Sequence, residues 1–266
     1  MKRLILTAVL LLATGAWAGP LEDAVAANAR RDYAAELKIT RPLAAKGEAW
    51  AQGFLGDSYR FGAGVPKNDV EAVKWFRRAA TQGDALSQGS MGGMYELGAG
   101  VEQNYAEAAK WYRLAATQGH SQSQFNLARL YQTGRGVIQD YVEALKWYKL
   151  AALTDSVNAP ISIGDMYFNG QGVPQDYAEA VKWNMLAAAN GNTYAQALLG
   201  AGYEYGMGVA QNYVRAHMWF NLAAVTGLPS GMAGRDRIAK LMSPQQMAEA
   251  QKLARECQAR NFKGCD

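Results

Sequence analysis

Apolar, small and polar side chains recur together in blocks of 36 residues along most of the chain. Every block carries a tryptophan at the same position, with an alanine three residues before it and an alanine pair after it. The tryptophans are Trp75, Trp111, Trp147, Trp183 and Trp219. A large aromatic residue at one fixed spacing indicates an array of equivalent supersecondary units that stack side by side.

Each block is predicted to form a helix, a glycine loop and a second helix. In the second block the first helix covers about 85–97 and ends at Gly98-x-Gly100, since glycine readily adopts the positive φ that stops a helix. Asn104 is a good N-cap for the second helix. Glu107 lies three residues later, where its side chain could complete a capping box. We refer to the two helices of a block as helix A and helix B.

Two motifs recur with this period and identify a family resemblance. In the third block they are Leu127-Ala128-x-x-Tyr131-x-x-Gly134-x-Gly136-Val137 and Asp140-Tyr141-x-x-Ala144-x-x-Trp147-Tyr148-x-x-Ala151-Ala152. The pattern resembles the Sel1-like repeat family, exported bacterial type, a relative of tetratricopeptide repeats. The resemblance covers five repeats in residues 47–227. It implies an all-α fold, a right-handed α-solenoid of helix-turn-helix repeats.

The segments on either side of the repeats are predicted to cap the array. In residues 19–46, Asp32-Tyr33 keeps the register of the repeat, but Ile39 stands where tryptophan would be, as in an atypical terminal unit. In residues 228–266, Ser243-Pro244 is typical of a helix start and opens an amphipathic helix through Ala254. We therefore expect an N-terminal capping half-repeat and C-terminal capping helices.

The N-terminus resembles a secretory signal peptide. Lys2 and Arg3 precede an apolar run over 4–12, and Ala16-Trp17-Ala18 matches a small-x-small cleavage site. The alternative is a retained membrane anchor, but the run is too short to cross a hydrocarbon core of about 30 Å. Residues 1–18 are therefore predicted to be removed by cleavage after Ala18, which would leave a periplasmic or secreted protein.

Charge and hydropathy exclude some classes of partner. The chain has 27 Lys and Arg against 23 Asp and Glu, and no basic run that would follow a phosphate backbone. These features argue against nucleic acid as a partner. No second apolar stretch approaches membrane-spanning length, so we expect no membrane insertion after signal cleavage. We also expect a monomer in solution.

Two cysteines, Cys257 and Cys265, lie near the C-terminus. In an exported protein such a pair is expected to form a disulfide, and the alternative is two free thiols in a frayed tail. A catalytic pair would more often have Cys-x-x-Cys spacing. We therefore predict a structural disulfide that closes a short loop.

The residues that usually perform catalysis form no recognisable motif. His120 and His217 lie in different repeats, and the sequence has no metal-binding His-Glu-x-x-His or nucleophilic Gly-x-Ser-x-Gly pattern. The Gly-x-Gly pairs follow the period and are interpreted as helix ends. We predict no catalytic, cofactor or metal site. The alternative function is a weak penicillin-binding or β-lactamase-like enzyme, which the resemblance suggests because cysteine-rich family members have been assigned such activity; the five repeats here contain no cysteine.

The variable positions of helix A predict a partner-binding surface. The repeated residues Ala51, Leu55, Gly56 and Tyr59 share one arc of the helix, and the residues that differ between repeats share the opposite arc. In superhelices of this kind helix A commonly lines the concave binding surface. The alternative is that these residues are ordinary solvent-facing or end-cap positions. The predicted partner-binding residues are Trp50, Asp57, Arg60, Glu96, Arg129, Asp165, Phe168, Tyr194 and Glu204.

Exposed aromatic residues beside charged ones are typical of protein-binding patches. The sequence therefore predicts an exported scaffold or adaptor that binds a protein or peptide partner of unknown identity on the concave helix-A surface. Regulation of an envelope complex or sensor is the kind of role that the resemblance implies.

Overall fold

A computed structural model describes residues 19–154 and 158–265 of the chain. The predicted signal peptide, residues 1–18, lies outside the described residues. The described residues form fourteen α-helices and no strand. The predicted all-α fold of stacked helix hairpins is therefore confirmed.

The chain divides into two compact units, and the boundary in the sequence falls between Ser123 and Gln124. The helices of the first unit are α1 (Pro20–Ala29), α2 (Tyr33–Ala45), α3 (Ala49–Phe61), α4 (Asp69–Thr81), α5 (Ala85–Leu97) and α6 (Tyr105–Thr117). Helix α7 (Ser121–Thr133) runs across the division. The remaining helices are α8 (Tyr141–Leu153), α9 (Ala159–Asn169), α10 (Tyr177–Ala189), α11 (Thr193–Tyr205), α12 (Tyr213–Val225), α13 (Pro229–Ala239) and α14 (Pro244–Ala259).

Odd-numbered helices from α3 to α11 are helices A, and each forms a hairpin with the helix B that follows it. Within the second hairpin, Gly98 ends α5 with a left-handed φ of 68°, and its N–H donates to the Met94 carbonyl. The Asn104 side chain begins α6 by accepting hydrogen bonds from the backbone N–H groups of Ala106 and Glu107. Both the glycine stop and the predicted N-cap are therefore confirmed.

The glutamates in the first turn of helix B do not form the predicted capping box. The N–H of Asn104 donates to the Tyr95 carbonyl of the preceding helix at 2.9 Å, so it is already satisfied. Glu107 instead pairs with Lys110, one turn along the same helix. The same i,i+3 ion pair recurs at Glu71–Lys74, Glu143–Lys146 and Glu179–Lys182. These pairs are exposed to solvent, so each contributes little to stability.

Aromatic rings of helix B pack against small residues of helix A inside the hairpins. A Cβ added at Gly92 would lie 2.5 Å from the ring of Tyr112. The equivalent distance is 2.6 Å from Gly56 to Phe76 and 2.6 Å from Gly200 to Phe220. The glycines therefore provide the space that the buried rings fill, and the two helices approach each other closely at these points.

Tryptophans join consecutive hairpins. Trp111 of α6 packs against a buried cluster of the preceding hairpin and of its own α5, which includes Phe76 and Met91. Trp75 of α4 packs in the same way against a cluster that includes Leu37 and Leu55. Burial of these large side chains supplies much of the contact between neighbouring hairpins.

Buried glutamines add polar connections within hairpins and between hairpins of the first unit. Gln82, at the end of α4, donates from Nε2 to Gln52 Oε1 at 2.9 Å, and Gln118 donates to Gln88 Oε1 at 2.7 Å. Gln88 in turn donates to the Ala80 carbonyl of the preceding hairpin at 3.1 Å. These bonds satisfy side chains that would be costly to bury without partners.

Two helices follow the last hairpin. Helix α14 begins as predicted, with Ser243 as N-cap in a capping box with Gln246, but it continues to Ala259 rather than ending at Ala254. Cys257 and Cys265 form the predicted disulfide. Both cysteines are buried in a core cluster that also contains Trp219. The bridge therefore fastens the end of the chain to α14, which packs against the last repeat.

The second glycine of each loop is needed for close approach between hairpins, which gives a test of the fold. An added Cβ at Gly208 would lie 2.2 Å from the Tyr177 carbonyl oxygen of the preceding hairpin, whereas Gly191 has a similar positive φ and no atom within 4 Å. Gly191→Ala should cost about 1–2 kcal/mol for the left-handed backbone alone. Gly208→Ala should lower the melting temperature, measured by circular dichroism, considerably more. Equal losses would contradict this account of the loop.

Candidate partner-binding surface

In the first unit, Trp50 is less exposed than the sequence predicted. It is half-buried and packs against the cluster that contains Leu37 and Leu55. Its ring also meets Phe54 edge to face, with 6.0 Å between centroids. Helix α2 supplies part of this contact, so Trp50 is largely a packing residue between α2 and α3.

Asp57 and Arg60 lie one turn apart on the predicted face of α3. Asp57 keeps contact with solvent, yet protein surrounds much of its carboxylate, and this desolvation raises the pKa of Asp57 to about 6. Arg60 opposes the rise in pKa, whereas the carboxylates of Glu36 and Asp84 add to it. The guanidinium of Arg60 lies 5.1 Å from the centre of the Phe61 ring.

Glu96 is held in place by a neighbouring helix. It is half-buried, and its Oε2 accepts a hydrogen bond of 2.8 Å from the Tyr112 hydroxyl. A carboxylate oriented in this way could still accept a further hydrogen bond from a partner, because a carboxylate has several acceptor positions.

In the second unit, three of the predicted residues line one cavity of about 540 Å³. Asp165 and Phe168 come from α9, and Tyr194 comes from α11. Phe168 and Tyr194 are 39% and 51% exposed, so both aromatic rings are accessible to a partner. Burial raises the pKa of the Asp165 carboxyl above its ordinary value. Helix-A positions from consecutive hairpins are therefore combined in a single concave site.

Arg129 lies close enough to Tyr148 for its charge to affect the pKa of the Tyr148 hydroxyl. Desolvation raises the pKa of Tyr148 to about 12; a hydrogen bond to Ser162 and the charge of Arg129 lower it, and Asp165 raises it further. The Tyr148 hydroxyl donates to Gln132 Oε1 at 2.8 Å. Gln132 also lines the cavity, so the third hairpin contributes to its wall.

The prediction that Glu204 belongs to the partner-binding surface is wrong. Its side chain is buried, with only 6% of the residue exposed, and Oε1 accepts a 2.7 Å hydrogen bond from Arg237 Nε. A second bond joins Arg237 Nη2 to Glu204 Oε2. Arg237 belongs to α13, which covers this position of the last repeat, so Glu204 holds the C-terminal helix instead of facing a partner.

Helix B also contributes to the cavity, although the pattern of helix A did not predict these residues. Tyr177 and Asn184 of α10 belong to its wall, and the ring of Tyr177 lies 5.1 Å from that of Phe168. A sequence signal for this site does exist, because Asn184 interrupts a column of aromatic residues directly after the repeated tryptophans. The column is Phe76, Tyr112, Tyr148, Asn184 and Phe220.

A family model described as the Sel1 repeat matches more than half of the chain. The matched residues are 51–84, 85–120, 121–153, 161–192 and 193–224. The chain belongs to the Sel1 repeat family. Its resemblance to that family and its five repeats are therefore confirmed.

A comparison with solved structures found matches of moderate sequence identity. A Sel1 repeat protein from Oxalobacter formigenes shares 30% identity with a TM-score of 0.77, over 88% of this chain and 95% of that chain. A protective antigen of uropathogenic Escherichia coli with an SLR fold shares 26% identity with a TM-score of 0.44, over 86% of this chain and 65% of that chain. A comparison with curated proteins found no match.

The histidines of this Sel1 repeat protein lie apart from the cavity. Burial lowers the pKa of His120, with an opposing effect of Asp84, and its Nδ1 lies 2.7 Å from Ser123 Oγ. Burial also lowers the pKa of His217. Within residues 19–154 and 158–265, no cluster of three or more His, Cys, Asp or Glu side chains is suited to a metal ion. No helix in the described part of the chain has the length and apolar character needed to cross a membrane.

The raised pKa of Asp57 predicts a pH dependence of stability. The folded chain retains the Asp57 proton up to a pH of about 6, whereas the unfolded chain releases it near its ordinary value, so the contribution of Asp57 to stability falls as the pH rises through this window. Asp57→Asn should therefore raise the melting temperature at pH 7 and change it little below a pH of about 3.5. An equal effect at both pH values would contradict the assignment.

Proposed function

We propose that this Sel1 repeat protein is an exported, non-catalytic scaffold that binds a protein or peptide partner on its helix-A surface. Sel1 repeat proteins are generally protein–protein interaction scaffolds. The observation that carries the proposal is the cavity of the second unit, where exposed Phe168 and Tyr194 flank Asp165. Regulation of an envelope complex or a membrane sensor is the role that we assign to such a scaffold.

The chemistry of the helix-A residues supports binding of a protein partner. Accessible aromatic rings provide apolar contact area at a low cost in side-chain entropy, and nearby charged groups provide orientation. Asp57 with Arg60 in the first unit, and Asp165 in the second, supply charges of this kind. With Trp50 and Glu204 used for internal packing, the proposed partner-binding residues are Asp57, Arg60, Glu96, Arg129, Asp165, Phe168 and Tyr194.

Two features support export. The disulfide between Cys257 and Cys265 is consistent with an oxidising compartment, since intracellular thiols are usually kept reduced. Residues 1–18 have the charge, apolar run and cleavage site of a secretory signal. We therefore place the mature chain in the periplasm or outside the cell.

We further propose that the segments outside the repeats close the ends of the array. Helix α2 covers Leu55 and Trp50 of the first hairpin, and the C-terminal helices bury Ile238 and Cys257 in one cluster with Trp219. Terminal units that cover the exposed apolar ends keep repeat arrays from associating. The proposal includes a monomeric state in solution.

The non-catalytic assignment can be tested with a chromogenic cephalosporin and a fluorescent penicillin. Sel1 repeat proteins are typically non-enzymatic scaffolds. We expect the purified protein to hydrolyse nitrocefin no faster than buffer and to acquire no covalent penicillin label. Turnover or labelling that a single substitution abolishes would favour the enzyme instead.

Partner binding can be tested with a triple substitution of the helix-A surface. Arg60→Ala, Arg129→Ala and Phe168→Ala together remove two cations and one exposed ring, so capture of a crosslinked partner from the native envelope should fall at least about tenfold. The matched control is Lys74→Ala, Lys146→Ala and Leu186→Ala, which removes two cations and one apolar side chain from exposed helix-B positions. Unchanged capture by the first variant, with an unchanged circular dichroism spectrum, would contradict the proposal.

A further inference from the structure

The fourth hairpin lacks an aromatic ring that its sister hairpins contain. Helix B of the other hairpins places a phenylalanine or tyrosine after the tryptophan, and each ring is at most 3% exposed. These residues are Phe76, Tyr112, Tyr148 and Phe220. Asn184 occupies the equivalent position in α10. Its side chain is much smaller than a ring, so the fourth hairpin holds less side-chain volume at this point.

Helix A of the fourth hairpin still has the space for a ring. Gly164 is the equivalent of Gly56, Gly92 and Gly200, against which the sister rings pack. A Cβ added at Gly164 would meet Asn184 Oδ1 at 2.5 Å. The amide therefore occupies the inner end of the ring position, and the space beyond the amide is not filled by this side chain.

The cavity lies where the missing ring would end. Tyr148, the ring of the third hairpin, interacts with Arg129 and Gln132 of its own helix A and with Ser162 and Asp165 of the next one. One period of 36 residues further along the chain, these four positions are Asp165, Phe168, Leu198 and Ala201. All four line the cavity of about 540 Å³. Its shape is thus set by the absence of an aromatic side chain.

The wall of the cavity contains an unsatisfied acceptor. Asn184 is only 7% exposed, and its Oδ1, which is turned towards Gly164, has no hydrogen-bond partner in the described part of the chain. A buried acceptor without a partner is costly, and a donor that reaches it recovers this cost. At the mouth, the exposed rings of Phe168 and Tyr194 offer faces and edges that favour a further aromatic group.

We propose that this cavity binds an aromatic side chain of the partner, one that carries a hydrogen-bond donor as tyrosine does. The ring takes the place of the missing helix-B ring and enters from the side of Phe168 and Tyr194. The Asn184 amide turns away from Gly164 towards the ligand, and its Oδ1 accepts the hydroxyl hydrogen. The proposal rests on the proposed function, because it names the part of a protein partner that the helix-A surface recognises.

Short peptides provide the direct test. The probes are acetyl-Gly-Gly-X-Gly-Gly-amide, in which X is Tyr, Phe, Leu or Lys. Met207 lines the cavity and Met94 is buried in the first unit, so their methyl NMR signals serve as reporter and internal control. The Tyr peptide should shift Met207 and leave Met94 unchanged, with a Kd on the order of 1 mM for so small a ligand.

Two substitutions at one position separate the shape of the cavity from its hydrogen bond. Asn184→Tyr restores the sister ring, as in Tyr148, and should weaken binding of the Tyr and Phe peptides at least about tenfold while the fold is retained. Asn184→Ala leaves the cavity open but removes the acceptor. It should keep binding of the Phe peptide and abolish a preference for Tyr over Phe of about three- to tenfold.

The outcomes distinguish this inference from the proposed function. Tighter binding of the Lys or Leu peptide than of the Tyr peptide, or equal Tyr binding by the Asn184→Tyr variant, would overturn the inference. So would unchanged partner capture by Asn184→Tyr when the Arg60, Arg129 and Phe168 variant loses capture. If that surface variant keeps its partner, the proposed function fails, and the peptide titration still decides whether the cavity selects an aromatic side chain.

Discussion

The packing of a helix-B ring against a small residue of helix A is the interaction on which four of the five hairpins depend. At Gly92 and Tyr112, and in the same way at Gly56 with Phe76 and at Gly200 with Phe220, the ring occupies space that a single methyl group would remove. This contact sets how closely the two helices of a hairpin approach each other. The tryptophan one residue earlier then packs between hairpins, as Trp111 does. One short helix-B segment therefore determines both distances, within a hairpin and between hairpins.

The hairpins themselves were predictable from the sequence because their signals are local. Asn104 caps its helix through N–H groups two and three residues away, and Gly98 stops a helix by its own conformation. The same local reasoning was wrong about Glu107. Its expected partner, the N–H of Asn104, already donates to a carbonyl of the preceding helix, which a single-helix pattern does not contain.

The candidate surface was less predictable because it depends on contacts between distant segments. Glu204 was expected to be exposed, but Arg237 lies in a helix outside the repeat and no periodic pattern places the two together. Trp50 is half-buried for a similar reason, since α2 covers one end of the first unit. Asp165, Phe168 and Tyr194 do share a cavity, as their common helix-A positions suggested. Its remaining determinant, Asn184, lies on helix B, whose repeated positions are interpreted from sequence as framework only.

The most direct measurement of the ring-against-glycine contact compares two adjacent glycines of α5. An added Cβ at Gly92 would lie 2.5 Å from the Tyr112 ring, whereas at Gly93 the nearest atom, the Tyr112 hydroxyl oxygen, is 3.7 Å away. Both replacements by alanine gain up to about 1 kcal/mol of helix propensity. The account predicts that Gly93→Ala is neutral or stabilising in thermal unfolding and that Gly92→Ala is destabilised by about 1–3 kcal/mol through overpacking. Equal melting temperatures for the two variants would contradict it.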